Sequence, residues 1–293
     1  MTTAHPGANL ISALPTLFDP DGAVDLKATR AAYDQLAAHP VDGVFVAGTT
    51  GEFTTLTDDE RLDVAAAAND AFGPERTYWH VGHASTHQAV RLTRAAVDRG
   101  AARLAALTPH YFPATERALL DYYEAVVTAA AGRPVYAYLF TARTTTTVSP
   151  RSLARLAGTG LAGVKISGEP TPVLAEYLAA LGDRDLPAYS GADAEFTEVV
   201  AAGGAGVVSG VSSALPAPFL AVRDALRSGD ADALAVARER SLRAVAATRQ
   251  GNLAHLKAVL ELRGLPAGGM RAPLDPISAD DRRALEADVA DLL

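Results

Sequence analysis

The chain has 293 residues, of which 49% are hydrophobic and 20% charged, enough apolar material for one large core and a length that suits a single α/β barrel. A formal net charge of −8 argues against a polyanionic partner, so no nucleic-acid binding is expected. Cysteine is absent, which removes disulfides, thiolate metal sites and a cysteine nucleophile.

The first ten residues, MTTAHPGANL, hold no basic segment ahead of an apolar stretch, so no signal peptide is expected. No apolar run approaches the length of a membrane span, and a cytoplasmic protein is the expectation. ISALPTLF (11–18) then opens a series of β-rich runs: GVFVAG (43–48), TYWHVG (77–82), RLAALT (103–108), VYAYLF (135–140), AGVKIS (162–167), PAYSG (187–191) and GVVSG (206–210). Alanine-rich helical patterns fall between them, among them DLKATRAAYDQLAAH, TDDERLDVAAAANDAF and HQAVRLTRAAVDRG. Asp58 and Asp59 suit a helix N-terminus, and Gly100 suits the residue just past a helix end. Eight β-then-α units predict an α/β fold, a (β/α)8 TIM barrel over residues 1–229. A doubly wound sheet is the alternative, but it usually has fewer units. Residues 230–293 read as a C-terminal helical extension, with LPAGGMRAPLDP (265–276) ahead of the last helix.

One residue is out of keeping with its surroundings. Lysine occurs only at Lys27, Lys165 and Lys257, and all other cations among the 26 Lys and Arg are arginine. Lys165 lies inside the apolar run LAGVKIS, although lysine is seldom buried unless paired. Arginine cannot deprotonate to a nucleophile and lysine can, so Lys165 points either to chemistry or to a strand-end head group reaching solvent.

Active sites of such barrels form at the C-terminal ends of the strands. The second run ends in GTTGE (48–52), whose hydroxyls and backbone N–H groups suit a carboxylate or simply cap a helix. The fourth ends near Tyr111. The fifth carries Tyr136 and Tyr138 two residues apart, so both face one way, as packing groups or as site groups. Arg143 follows in TARTTTT and suits a bidentate carboxylate contact or a solvated loop. The runs ending at Gly191 and around Val208 offer small residues that leave room. The histidines His5, His39, His80, His83, His87, His110 and His255 make no recognised metal-ligand arrangement, and no metal or other cofactor is expected.

GTTGEFTTLTDDE after the second run, a tyrosine ending the fifth and GVKISG on the sixth resemble the dihydrodipicolinate synthase / N-acetylneuraminate lyase family. The similarity runs from about Ala13 to Pro218, more weakly in the C-terminal helices. The resemblance implies a barrel with extra C-terminal helices, a homo-oligomer (dimer or tetramer), and a class I mechanism through a Schiff base to pyruvate or another 2-oxo acid. Lys165 matches the Schiff-base lysine and Tyr138 the proton-shuttling tyrosine. Thr49 and Tyr111 match its relay partners, the latter reaching across a tight dimer. Thr49 and Thr50 match the pair that holds the 2-oxo acid carboxylate, Gly191 and Val208 match pocket positions, and Arg143 matches an arginine near the site entrance. A lysine must be neutral to attack a ketone, and an apolar strand disfavours its charged form. The chain departs from the family at YLFT (138–141), where Tyr-Asn-x-Pro is usual, at TTTT (144–147), where Thr-Gly is usual, and at Ile166. A pyruvate-plus-aldehyde condensation, or its reverse, is the leading expectation. The alternatives are a 2-keto-3-deoxy sugar acid aldolase or dehydratase, or a sialate-lyase-like enzyme, to which Thr144–Thr147 could offer hydroxyls. A non-catalytic 2-oxo-acid-binding relative is the alternative of another class.

Overall fold

The computed structural model describes residues 7–293, so His5 lies outside the described residues. Every expected β-rich run contributes a strand: β1 (Asn9–Ala13), β2 (Gly43–Val46), β3 (Thr77–His80), β4 (Arg103–Leu107), β5 (Val135–Leu139), β6 (Gly163–Ile166), β7 (Ala188–Ser190) and β8 (Gly206–Ser209). They close into one barrel in the order β1 to β8, and the paired strands are parallel. This is the (β/α)8 TIM barrel with C-terminal helices that the alternating runs predict.

β1 differs in position. The expected run began at Ile11, whereas the strand covers Asn9–Ala13. Leu14 still donates its N–H to the Phe45 carbonyl (2.9 Å), but Pro15 has no N–H and the ladder stops there. Leu17 and Phe18 stay buried without strand pairing to β2.

Several helices start where a side chain caps them. Asp25 accepts the Ala28 N–H ahead of the helix Leu26–Ala37. Thr57 and Glu60 form a reciprocal capping box on Asp58–Phe72, with Asp58 and Asp59 in the first turn. The helix Thr86–Asp98 ends just before Gly100, which takes a left-handed backbone (φ 89°). Helices Pro216–Ser228, Ala231–Ala247, Leu253–Leu262 and Ala279–Val289 follow the last strand.

Two compact units share the chain. One comprises the described residues up to Gly73 together with Ser209–Leu293, and the other comprises Pro74–Val208. In the second unit the strand interior is filled by aromatic rings. Tyr78 on β3 meets Tyr136 on β5 edge-on at 4.9 Å, and Tyr136 lies 6.5 Å from Tyr189 on β7. These strands are not neighbours, so their rings meet only inside the curve of the sheet, one layer built from alternate strands. Arg103 stacks on Tyr78 (5.6 Å) and donates to the Tyr136 hydroxyl (3.3 Å). Gly163 opposes Tyr136 across the β5–β6 ladder, and a Cβ at Gly163 would run into the Tyr136 ring. We expect Gly163→Ala to destabilise the protein by roughly 1–3 kcal/mol through overpacking. The check is a fall in the urea midpoint with an unchanged slope.

Candidate active site

The pleat that sends Tyr136 inward sends Tyr138 inward two residues later. Lys165 sits directly across the ladder from Tyr138, so it shares that face. Its neighbours Val164 and Ile166 are 0% and 2% exposed and Lys165 itself is 7% exposed. The Lys165 Nζ lies 4.2 Å from the centre of the Tyr138 ring. The aromatic face is the electron-rich group that a lysine head prefers in an apolar interior. Strand phase thus supplies two candidate residues at once, an amine and a phenol, held together by backbone hydrogen bonds.

His80 completes this layer and was not singled out by sequence reasoning. It ends β3, is 2% exposed, and its ring stands 6.1 Å from Tyr138, nearly perpendicular to it. Its Nε2 accepts the Leu107 N–H (3.3 Å). A Cβ at Gly82 would meet both that nitrogen and the Leu107 backbone, so the chain needs glycine there. The available signal was phase: His80 follows Tyr78 by two residues, as Tyr138 follows Tyr136.

Gly191 continues β7, donates its N–H to the Ile166 carbonyl (2.8 Å), and has no room for a Cβ beside the Ser167 hydroxyl. Val208 is buried on β8. Arg143 lies on the short helix Thr141–Thr144 and is exposed, with its guanidinium 5.9 Å from the Phe140 ring. Tyr111 is not gathered with these residues. It is 79% exposed, takes a left-handed backbone (φ 78°), and packs edge-on against the equally exposed Phe112 at 4.9 Å.

The threonine run after Arg143 has internal work. Thr144 accepts from the Thr108 hydroxyl and donates to the Phe140 carbonyl, both at 3.1 Å. Thr146 donates to the Pro109 carbonyl (3.0 Å) and accepts the Ala114 N–H (3.1 Å). Both side chains are fully buried. The Thr146 hydroxyl therefore braces the 109–114 loop that carries Tyr111, Thr144 is tied to Thr108 just ahead of it, and of the run only Thr145 and Thr147 are exposed.

In the other unit, Thr49 and Thr50 occupy the turn after β2, both half-buried. The turn lies between two non-glycine residues in left-handed conformation, Ala47 (φ 51°) and Glu52 (φ 55°). Glu52 donates its N–H to the Thr49 carbonyl (3.1 Å), Phe53 to the Gly48 carbonyl (3.2 Å), and Thr16 donates its hydroxyl to the Gly51 carbonyl (2.9 Å). The Glu52 carboxylate is buried against Lys257 (2.5 Å). Burial lowers the Lys257 pKa, and Glu52 offsets that in part. Arg271 grips Glu60 with two nitrogens (2.9 and 2.8 Å) and donates to the Thr55 and Gly22 carbonyls.

Among the described residues no three His, Cys, Asp or Glu side chains gather as a metal site, and no helix is long and apolar enough to cross a membrane. His83 precedes the helix that carries His87 and lies 6.4 Å from the His110 ring.

Two predictions come from these contacts. Arg271 holds the Glu60 carboxyl below its ordinary value of 4.5, chiefly by hydrogen bonding. The stabilisation is therefore complete above that value and is lost as pH falls through the lower folded-state value. Glu60→Gln should flatten the pH dependence of Tm below pH 4.5 and leave the part above it parallel to wild type. Thr146→Val should leave the Pro109 carbonyl and Ala114 N–H without this partner and cost about 1–3 kcal/mol. Denaturant melts would measure that loss, and limited proteolysis should show faster cleavage within residues 109–114.

The chain matches the model of the Dihydrodipicolinate synthetase family over residues 7–292. It is 36% identical over 280 residues to an uncharacterised DapA-like lyase of Halobacterium salinarum, covering 94% of this chain and 91% of that protein. It is 34% identical over 282 residues to 4-hydroxy-tetrahydrodipicolinate synthase 1 of Streptomyces coelicolor, with coverage of 94% and 91%. Among solved structures, the dihydrodipicolinate synthase of Cyanidioschyzon merolae with lysine bound superposes with a TM-score of 0.90 at 26% identity, covering 99% of this chain and 100% of that one.

Proposed function

Because this chain belongs to the dihydrodipicolinate synthetase family, whose class I chemistry runs through a lysine Schiff base, we propose that Lys165 is the Schiff-base lysine and Tyr138 its proton carrier. The reaction is that of a pyruvate-dependent lyase or aldolase. The observation that carries the assignment is the buried Lys165 amine held 4.2 Å from the Tyr138 ring, directly across the β5–β6 ladder.

The neutral amine attacks C2 of the 2-oxo acid. The resulting alkoxide takes a proton, and the carbinolamine loses its hydroxyl as water, with Tyr138 moving protons at the nitrogen and the oxygen. The iminium withdraws electrons from C3, whose proton leaves to give an enamine. The enamine attacks an aldehyde carbon, and the reverse sequence cleaves the same bond. Thr49 and Thr50 hold the carboxylate of the 2-oxo acid, and Gly191 and Val208 keep space for it. Thr49 and Tyr111 pass protons between Tyr138 and solvent. The exposure of Tyr111 and Phe112 supports a homo-oligomer in which a second copy covers this loop and receives Tyr111.

A carboxylate-bearing aldehyde is the favoured second substrate. Arg143 is exposed on the loop after β5 and supplies a planar fork for a carboxylate. The alternative sugar acid would need hydroxyl partners, and Thr144 and Thr146 are already bonded within the chain.

Pyruvate plus borohydride should leave a covalent adduct on the peptide carrying Lys165, seen by mass spectrometry, and Lys165→Ala should leave none while keeping its circular dichroism. Unmodified, folded wild-type protein would overturn the assignment. Tyr138→Phe should lower kcat by about 10²–10⁴-fold. In a panel of aspartate semialdehyde, sialic acid and 2-keto-3-deoxy sugar acids, Arg143→Ala should raise KM for aspartate semialdehyde.

A further inference from the structure

We propose that the buried Lys257–Glu52 ion pair positions the Thr49–Thr50 turn and thereby sets affinity for the 2-oxo acid. The inference rests on the assignment of that turn to the substrate carboxylate.

The pair is closed off from water: the Lys257 and Glu52 side chains are 3% and 0% exposed. Removing two charges from water is costly, and a buried pair often stabilises a fold no better than apolar residues of the same size. What it supplies is a fixed geometry. Lys257 Nζ meets the Glu52 carboxylate at 2.5 Å, donates to the Gly269 carbonyl at 2.7 Å, and sits 4.3 Å from the centre of the Phe18 ring. A compact ammonium can serve these three partners at once, and a planar guanidinium cannot turn the same way. In a chain that otherwise favours arginine, this accounts for a second buried lysine.

Glu52 passes the constraint to the turn. Its backbone is left-handed, a conformation that a non-glycine residue keeps only when its surroundings hold it. Its N–H closes on the Thr49 carbonyl, and the Arg271 N–H approaches its other carboxylate oxygen at 3.4 Å. The segment bearing Gly269 and Arg271 is held in turn at Gly268, where a Cβ would collide with the Phe18 carbonyl. On the other side of the turn, a Cβ at Gly210 would stand 3.2 Å from the Thr50 hydroxyl and 3.6 Å from Leu256, the residue before Lys257. The C-terminal helix Leu253–Leu262 therefore fixes the turn after β2 through one side chain. Neither charged group is assigned contact with the substrate, so both act through the turn.

The test is the double variant Glu52→Gln/Lys257→Met, which leaves no unpaired buried charge. KM for pyruvate should rise about tenfold or more, and because Thr49 of the same turn also relays protons, kcat should fall with it rather than rise. Trapping of Lys165 by borohydride at saturating pyruvate should match wild type. Hydrogen exchange at residues 48–53 should quicken about tenfold, with the helix Leu26–Ala37 unchanged. Unchanged KM and unchanged exchange in the turn would overturn the proposal, whatever happens to Tm. If the double variant does not fold, Lys257→Arg keeps the charge and changes only its shape. A raised pyruvate KM in that variant supports the proposal and an unchanged one overturns it. Absence of a pyruvate adduct on wild-type protein would instead sink the Schiff-base assignment, and exchange in the turn would still decide whether the ion pair fixes it.

Discussion

Closure of eight parallel strands into a barrel forces every second residue of each strand into one shared interior, and the groups at the candidate site follow from that. Tyr78, Tyr136 and Tyr189 fill one interior layer from alternate strands, and Gly163 makes the space that Tyr136 occupies. One step further along the strands, the same phase brings in His80, Tyr138 and Lys165. The lysine is interior because its strand must continue the pleat of its neighbours, and parallel direction places the loops after all eight strands at one end.

The two buried lysines have different surroundings. Lys257 has a carboxylate at 2.5 Å and a carbonyl at 2.7 Å that hold it still, and the carboxylate offsets in part the lowering of its pKa by burial. Lys165 sits between the buried strand residues Val164 and Ile166, with its amine 4.2 Å from the centre of the Tyr138 ring. Elsewhere the chain places arginine in exposed pairs such as Arg30–Asp70, Arg117–Asp121 and Arg243–Asp291, where screening leaves each worth little.

Polar contacts tie the loops after β2, β4 and β5 to other parts of the chain. Thr108, Thr144 and Thr146 join the segments after β4 and β5, so the departure from the family pattern at TTTT acts as a brace in this chain. The turn after β2 is joined to the C-terminal segment by Glu52 and Lys257, and the helix that follows it by Glu60 and Arg271. Both arrangements fix loop geometry through side-chain hydrogen bonds and ion pairs.

The sequence by itself determined the strands, the barrel and which strand residues share an inward face. Strand phase, helix caps and the family motifs are local patterns, so GVKIS could be placed on a strand and Tyr138 given the same face as Tyr136 without coordinates. β1 was displaced because Pro15 ends its ladder, a stop present in the sequence that the surrounding apolar residues outweighed. Only the tertiary structure decided what depends on residues distant along the chain: the grip of Arg271 on Glu60, 211 positions apart, the burial of Lys257 against Glu52, the approach of His80 to Tyr138, the commitment of Thr144 and Thr146 to the chain itself, and the exposure of Tyr111. A side chain's partners across the fold depend on where closure of the barrel and docking of the C-terminal helices carry them, and no local periodicity encodes that distance.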